Sequence, residues 1–255
     1  MKRILFTGDQ HSGHIAGLTP PTYHTRAHGD SYYKWQIEAW NWYTDTIESL
    51  QPIDVMVVNG DPIDGKGQRS GGTELITTDP ITQCKMAVEA AQQANAARYI
   101  MTYGTGYHTG QDTDYERIIA EELKADIASH QWLDVNGVVF DIKHHVGGSS
   151  IPHGRGTSIA KEWLWSTLWA AHDEQPKADV VVRSHVHYHY FCGDGDFLAM
   201  TLPALQGKGS KFGARRCSNT VHFGLVWFDI EDDGSYTWHR KLLRASSQKQ
   251  AAIKI

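Results

Sequence analysis

Cysteine is scarce in this chain. Three residues in 255, Cys84, Cys192 and Cys217, contain no CxxC pair. That argues against a disulfide framework and a thiolate zinc site, and for a reduced compartment. No apolar run reaches the roughly 18 residues that a membrane span requires, so no membrane association is expected. The opening residues, Met1 to His11, pass from two basic side chains directly into a polar motif. The long apolar region and cleavage site of a secretory signal are missing there, and a cytoplasmic location is expected. Positive charge is not in excess either. The 24 Lys and Arg against 29 Asp and Glu leave a net charge of −5, which gives no global attraction to nucleic acid but leaves room for a local basic rim. Repeats, low-complexity tracts and clear linkers are also absent. The expectation is one domain over residues 1–244 and a polar tail over 245–255.

What the chain does have is histidine, 15 of them. Several, such as His24, His130, His172 and His222, read as ordinary packing, capping or solvent-facing residues. Others stand with acids beside glycine or where an apolar run ends. These are Asp9 and His11, Asp61 after Gly60, His108 after Gly106, the pair His144 and His145, and the pair His185 and His187. Acids and imidazoles gathered beyond strand ends are what a cluster of divalent metals requires, and without thiolates the set suits Mn, Fe, Zn or Co.

The apolar runs predict interior strands at 2–7, 54–58, 97–102, 138–142 and 178–183. Helical spacing predicts helices between them. One covers 31–49, with Tyr33, Ile37, Trp40 and Tyr43 on one face. A second covers 81–97, capped by Asp79 with Pro80 in its first turn. A third runs from a cap at Asp112 or Thr113 to Ala128, and a fourth covers 158–172. The C-terminal third changes style. Strands are expected at 188–191, 197–201, 220–230 and 235–242, the last two joined by a turn at Asp232-Asp233-Gly234. Alternating strands and helices followed by strands predict an α/β fold with two sheets on one core and helices outside. In such folds ligands collect beyond the carboxyl ends of strands, where all five motifs lie.

The ordered motifs resemble the calcineurin-like metallophosphoesterase superfamily, whose pattern is GDxH, GDxxD, GNH followed by D or E, a lone His, and GHxH. The chain reads Gly8-Asp9-Gln10-His11, Gly60-Asp61-Pro62-Ile63-Asp64, Gly106-Tyr107-His108, His144-His145 and Ser184-His185-Val186-His187. Four of the five match closely, over roughly residues 3–190. The resemblance implies a four-layer α-β-β-α sandwich and two divalent metal ions. It implies that Asp9, His11 and His187 bind the first ion and that Asp61 bridges both. His185 and either His144 or His145 would bind the second, with His144 favoured because it ends its strand. It further implies hydrolysis of phosphoesters by in-line attack of a metal-bridging hydroxide, with His108 as the non-ligand catalytic residue and Asp61 as the shared carboxylate. Asp64 reads as a support for a ligand.

One motif departs from the pattern. The family's Asn is missing, and its place falls to Tyr107 when alignment is anchored on His108, or to Thr105 when anchored on Gly104. Asn59 is a third source of an oxygen. A second metal site that is weaker, differently coordinated or filled only with substrate is therefore expected. Substrate signals are less specific. Lys66 and Arg69 lie in one glycine-rich basic loop, and Lys208, Lys211, Arg215 and Arg216 lie in or after another. Arg155 follows the fourth motif, while Tyr23 and His24 lie where the site mouth is expected. Lys66, Arg69 and Arg155 are the candidate phosphate contacts. His189 continues the spacing of His185 and His187. A compact chain with a small cap region favours an open cleft for phosphodiesters, DNA or RNA among them. The alternatives are a small-molecule phosphomonoesterase, and an inactive binding or scaffold protein on the same fold. The oligomeric state is left open.

Overall fold

The computed structural model describes residues 1–109, 113–208, 221–244 and 252–253. Two sheets face each other. The first has strands β1 (Lys2–Thr7), β2 (Val55–Asn59), β3 (Arg98–Thr102), β4 (Asp126–Ala128), β10 (Phe223–Ile230) and β11 (Tyr236–Leu243) in the order β11-β10-β1-β2-β3-β4. The second has β5 (Gln131–Val135), β6 (Val138–Ile142), β7 (Val180–Arg183), β8 (Tyr190–Gly193) and β9 (Leu198–Thr201) in the order β5-β6-β7-β9-β8. Strands β1, β2, β3 and β4 run parallel, as do β6, β7 and β9, so in each sheet several carboxyl ends share one edge.

Strand residues alternate between two cores. Ile4, Phe6, Val57 and Ile100 point inward, to meet Phe140, Ile142, Val180 and Val182 of the second sheet. Phe6, Phe140 and Phe228 contact one another with ring centroids 5.0–5.6 Å apart. Such aromatic pairs add about 0.5–1.5 kcal/mol each beyond their buried area. Leu5, Met56, Val58 and Met101 point outward, where they meet helices α1 (Asp30–Ser49), α2 (Pro80–Gln92) and α4 (Tyr115–Leu123). Because both faces are covered, these strands read as continuous apolar runs rather than alternating ones. The aromatic segment on α1 is core: Trp35, Trp40 and Tyr43 are buried. The Trp35 indole N–H donates to the Ala16 carbonyl, and the Tyr43 hydroxyl to the Ala90 carbonyl, both at 2.9 Å.

Helix α5 (Arg155–Ala171) covers the other face of the second sheet through Ile159, packed with Val181 and Ala199. A buried ion network ties it down. The Arg183 guanidinium donates to Asp141 Oδ1 and to Glu162 Oε2, each at 2.8 Å. Helices, sheet, sheet and helix give the expected four-layer α-β-β-α sandwich.

Several boundaries differ from expectation. Helix α2 ends at Gln92 rather than running to Ala97. Helix α4 is capped by Asp114, whose carboxylate accepts from the Arg117 N–H at 2.9 Å, rather than by Thr113. The other expected cap, Asp112, lies outside the described residues. The same helix stops at Leu123 because Lys124 turns left-handed (φ 53°), and 126–128 is a strand, not helix. Strand β5 was not expected. It forms a hairpin with β6 around Asn136 (φ 51°) and Gly137 (φ 87°), a turn whose Asn-Gly pair was visible in the sequence. Helix α3 (Gly106–Thr109) is a single turn. The last hairpin forms as expected between β10 and β11. The polar tail expected at 245–255 lies outside the described residues except at 252 and 253.

Candidate metal centre

The loops leaving β1, β2, β3, β6 and β7 converge on one edge where the two sheets meet. Asp9 and His11 follow β1, Asp61 follows β2, Thr105 and His108 follow β3, His144 follows β6, and His185 and His187 follow β7. Five of these have left-handed backbone: Asp9 (φ 50°), His11 (49°), Asp61 (51°), His185 (71°) and His187 (56°). A non-glycine residue held there costs of order 1–3 kcal/mol and persists only where its surroundings enforce it. Backbone bonds between adjacent loops do so. The Asp9 N–H donates to the Gly60 carbonyl at 3.1 Å, and the His11 N–H to the Asp61 carbonyl at 3.0 Å. The His185 N–H donates to Asp9 Oδ2 at 2.9 Å.

Glycine is required at two approaches. A Cβ on Gly60 (φ 77°) would lie 2.3 Å from His144 Nδ1, and one on Gly104 would lie 2.2 Å from Asp61 Oδ1. The sheets are also bolted together beneath the site. Asn59 accepts at Oδ1 from the Thr102 hydroxyl at 2.6 Å and donates from Nδ2 to Ser184 Oγ at 2.8 Å, and its carbonyl accepts from His144 Nδ1 at 2.8 Å.

Three overlapping groups of donors result, the third, His11, Asp61 and His108, joining the other two through His11 and Asp61. In the first, Asp9 Oδ1 lies 3.4 Å from His187 Nε2 and 4.0 Å from His11 Nε2, and the two imidazole nitrogens are 3.2 Å apart. Asp9 is fully buried, yet among the described residues its Oδ1 has no hydrogen-bond partner. A buried anionic oxygen without a donor is costly unless a cation faces it. In the second, Asp61 Oδ2 lies 3.1 Å from His144 Nε2, and His185 completes the group. The Thr105 hydroxyl sits 3.2 Å from Asp61 Oδ2, 3.4 Å from His144 Nε2 and 3.1 Å from His185 Nδ1. Metal bonds of about 2.0–2.2 Å at tetrahedral angles separate neighbouring donors by about 3.3–3.6 Å; the second group lies close to that range, and the first is wider at its Asp9–His11 pair, while both suit a divalent ion in chemistry.

The imidazoles are oriented from behind. The Nδ1 of His11 faces Asp64 Oδ1 at 3.0 Å and that of His144 faces the Asn59 carbonyl, which frees each Nε2 for the site. His108 Nδ1 donates to the Asp64 carbonyl at 2.9 Å. Charge follows this geometry. Burial opposes the charged forms of Asp61 and His144, but their mutual contact overrides it. The Asp61 carboxyl is held far below the usual range, and the His144 imidazole is raised to about 9. A proton thus holds the pair together where a cation would displace it. Burial and then the charge on His11 lower His108. Burial also pushes His185 down to about 4, leaving it a neutral donor.

Other expected residues stand apart from these groups. His145 is exposed, its ring against that of His185 at 4.6 Å. Tyr107 packs edge-on against His108, and Asn59 spends its side chain on the sheet–sheet link. His189 turns into an aromatic cluster with Phe191 and Trp238, its Nδ1 donating to the Thr201 carbonyl at 2.8 Å. His24 is tied to the Thr19 carbonyl at 3.0 Å. Tyr23 lies in the short turn before it, in none of the donor groups. Arg155 lies over the Tyr188 ring at 4.4 Å, and exposed Lys66 follows Gly65, which packs on the His108 carbonyl. The side chain of Arg69, and Lys211, Arg215 and Arg216, lie outside the described residues.

Two contributors carried no sequence signal. Buried His14 accepts at Nδ1 from the Ala16 N–H at 3.0 Å, and burial lowers it to about 4. Buried Glu116 holds the turn before Thr105. A lone His or a helix-start Glu has no spacing to mark it.

No family model and no curated protein sequence matches the chain. Among solved structures, it is similar to one described as a novel archaeal phosphodiesterase. The identity is 12%, the match covers 94% of this chain and 99% of that one, and the TM-score is 0.48. It is similar to zinc-complexed wild-type Vps29 from Entamoeba histolytica at 13% identity, over 94% and 98% of the two chains, with a TM-score of 0.46. A third likeness is a predicted phosphoesterase from Streptococcus pneumoniae, at 11% identity over 95% and 98% of the chains, with a TM-score of 0.38.

Proposed function

We propose that the chain is a metal-dependent phosphoesterase of the calcineurin-like type, acting on phosphodiesters. The observation that carries this reading is the convergence of Asp/His groups from both sheets around Asp9, whose buried Oδ1 has no hydrogen bond among the described residues. Asp9, His11 and His187 would hold one divalent ion. Asp61, His144, His185 and the Thr105 hydroxyl would hold the other, with Asp61 placed between the groups to be shared. Bound there, the ions supply Lewis acidity and positive charge against the phosphoryl oxygens.

The chain's own residues do the rest. Asp64 and Asn59 keep the His11 and His144 rings in the tautomer that presents Nε2. His108 is anchored through Nδ1, so the proton it can exchange is on Nε2. In its charged form, which burial and the His11 charge disfavour, it gives that proton to the departing oxygen and recovers it from solvent. Lys66 and Arg155 would contact a second ester arm.

His108→Asn is expected to lower kcat by about 10²–10⁴-fold with metal uptake unchanged. The loss should be smaller for a p-nitrophenolate leaving group than for an alkoxide. Equal losses for both would remove the general-acid role. The overall reading is tested with chelated protein reloaded with Mn or Zn, assayed on bis-p-nitrophenyl phosphate, p-nitrophenyl phosphate and single-stranded DNA. Metal-restored cleavage of the diester ahead of the monoester is the expected result. Metal uptake with no cleavage of any substrate would leave a binding protein, and preference for the monoester would make it a phosphatase.

A further inference from the structure

Glu116 in the first turn of α4 is fully buried, and among the described residues its only hydrogen-bond donor is the Gly104 amide, at 2.9 Å to Oε1 and 3.1 Å to Oε2. An acid so placed is expensive if its sole purpose is packing. The turn it grips is the one that carries Thr105. Tyr103, on the other side of Gly104, donates its hydroxyl to Asp114, the α4 cap, at 2.8 Å. The start of α4 therefore clamps 103–104 twice, by side chains two residues apart in sequence. Beyond the clamp, the Thr105 N–H donates to Asp61 Oδ1 at 2.6 Å, and its hydroxyl meets Asp61, His144 and His185.

We infer that Glu116 is the positioning residue that makes Thr105 the fourth donor of the second metal group, in place of the asparagine expected there. The inference rests on the metal reading above but not on the reaction. An amide side chain in that position would need no such clamp, because its longer arm reaches the ion from a freer backbone. The hydroxyl of Thr105 is one bond from Cβ, so its position is set by the main chain, which Glu116 holds through Gly104.

The test is Zn²⁺ titration of the chelated full chain by calorimetry, with near-UV circular dichroism to check packing. Wild type should take up two ions. Thr105→Ala should weaken the second by at least about tenfold and leave the first within about threefold. Glu116→Leu keeps the buried volume but removes the acceptor, and should reproduce the Thr105→Ala pattern. Glu116→Gln keeps an acceptor and should bind both ions as wild type does. Combining Glu116→Leu with Thr105→Ala should cost no more than Thr105→Ala alone, because both act through one hydroxyl. If Glu116→Leu does not fold, the contrast between Glu116→Gln and Glu116→Ala takes its place. Unchanged second-ion affinity in Glu116→Leu, or additive losses in the double variant, would overturn the inference. Two ions bound by a wild-type chain that cleaves no phosphoester would instead sink the proposed function and leave this inference standing.

Discussion

Asp61→Asn is expected to reduce diester hydrolysis by at least about 10³-fold, equivalent to about 4 kcal/mol of transition-state stabilisation. The substitution is nearly isosteric. The amide oxygen can still accept from the Thr105 N–H, which lies at 2.6 Å, so the loop has no steric reason to move. What disappears is one negative charge between two groups of imidazoles. That charge holds His144 protonated when no cation is present, and its carboxylate belongs both to the group with His144 and His185 and to the one with His11 and His108. A neutral amide is a weaker ligand for a hard divalent ion and cannot be shared between two with equal effect. The measurement is kcat/KM on bis-p-nitrophenyl phosphate with metal in excess, beside the number of ions bound. Retention of full activity would show that Asp61 is not the shared ligand.

Gly60→Ala should damage the site from behind. The residue sits at φ 77°, where a side chain costs about 1–2 kcal/mol, and its new Cβ would lie 2.3 Å from His144 Nδ1 and 2.8 Å from the Gly104 Cα. Overpacking of that kind costs about a further 1–3 kcal/mol. The ring cannot retreat without losing the bond from its Nδ1 to the Asn59 carbonyl. The expected result is about 2–5 kcal/mol lost in denaturant unfolding, together with the second ion. A variant that unfolds like wild type and still binds two ions would mean that the loop relaxes more easily than its contacts suggest.

The sequence revealed the layers because interior strands advertise themselves. Runs such as Ile4-Leu5-Phe6 and Val180-Val181-Val182 are buried on both faces and leave no polar position to confuse the reading. The partly exposed hairpin strand β5 has no such run, and its Trp132 and Leu133 stand between Gln131 and Asp134. Its only clear mark was the Asn-Gly turn. The convergence of acids and histidines was legible for a similar reason, since strand ends in parallel sheets share an edge. Choices among neighbours were not. Tyr107 and Thr105 differ by which way the chain turns after β3, and the single turn of α3 and the grip of Glu116 decide that, while Asn59, at the end of β2, is taken up by Thr102 and Ser184. His144 and His145 differ by one residue, and burial against Asn59 separates them.

The pairing of β1 has a consequence for how the chain matures. Asp9 and His11 hang from β1, which lies between β2 and β10, and Lys2 to Phe6 pair with Val226 to Ile230. A nascent chain leaving the ribosome thus carries its first two donors long before the strand that flanks them exists. Every donor has been made by His187, but β10 comes later, at 223–230. A product cut short near residue 208 would contain the whole donor set and its bonds to the β2 loop, yet leave β1 as an open edge on the side that β10 covers. The partner strand on that side of β1 is thus supplied only by the C-terminal part of the chain.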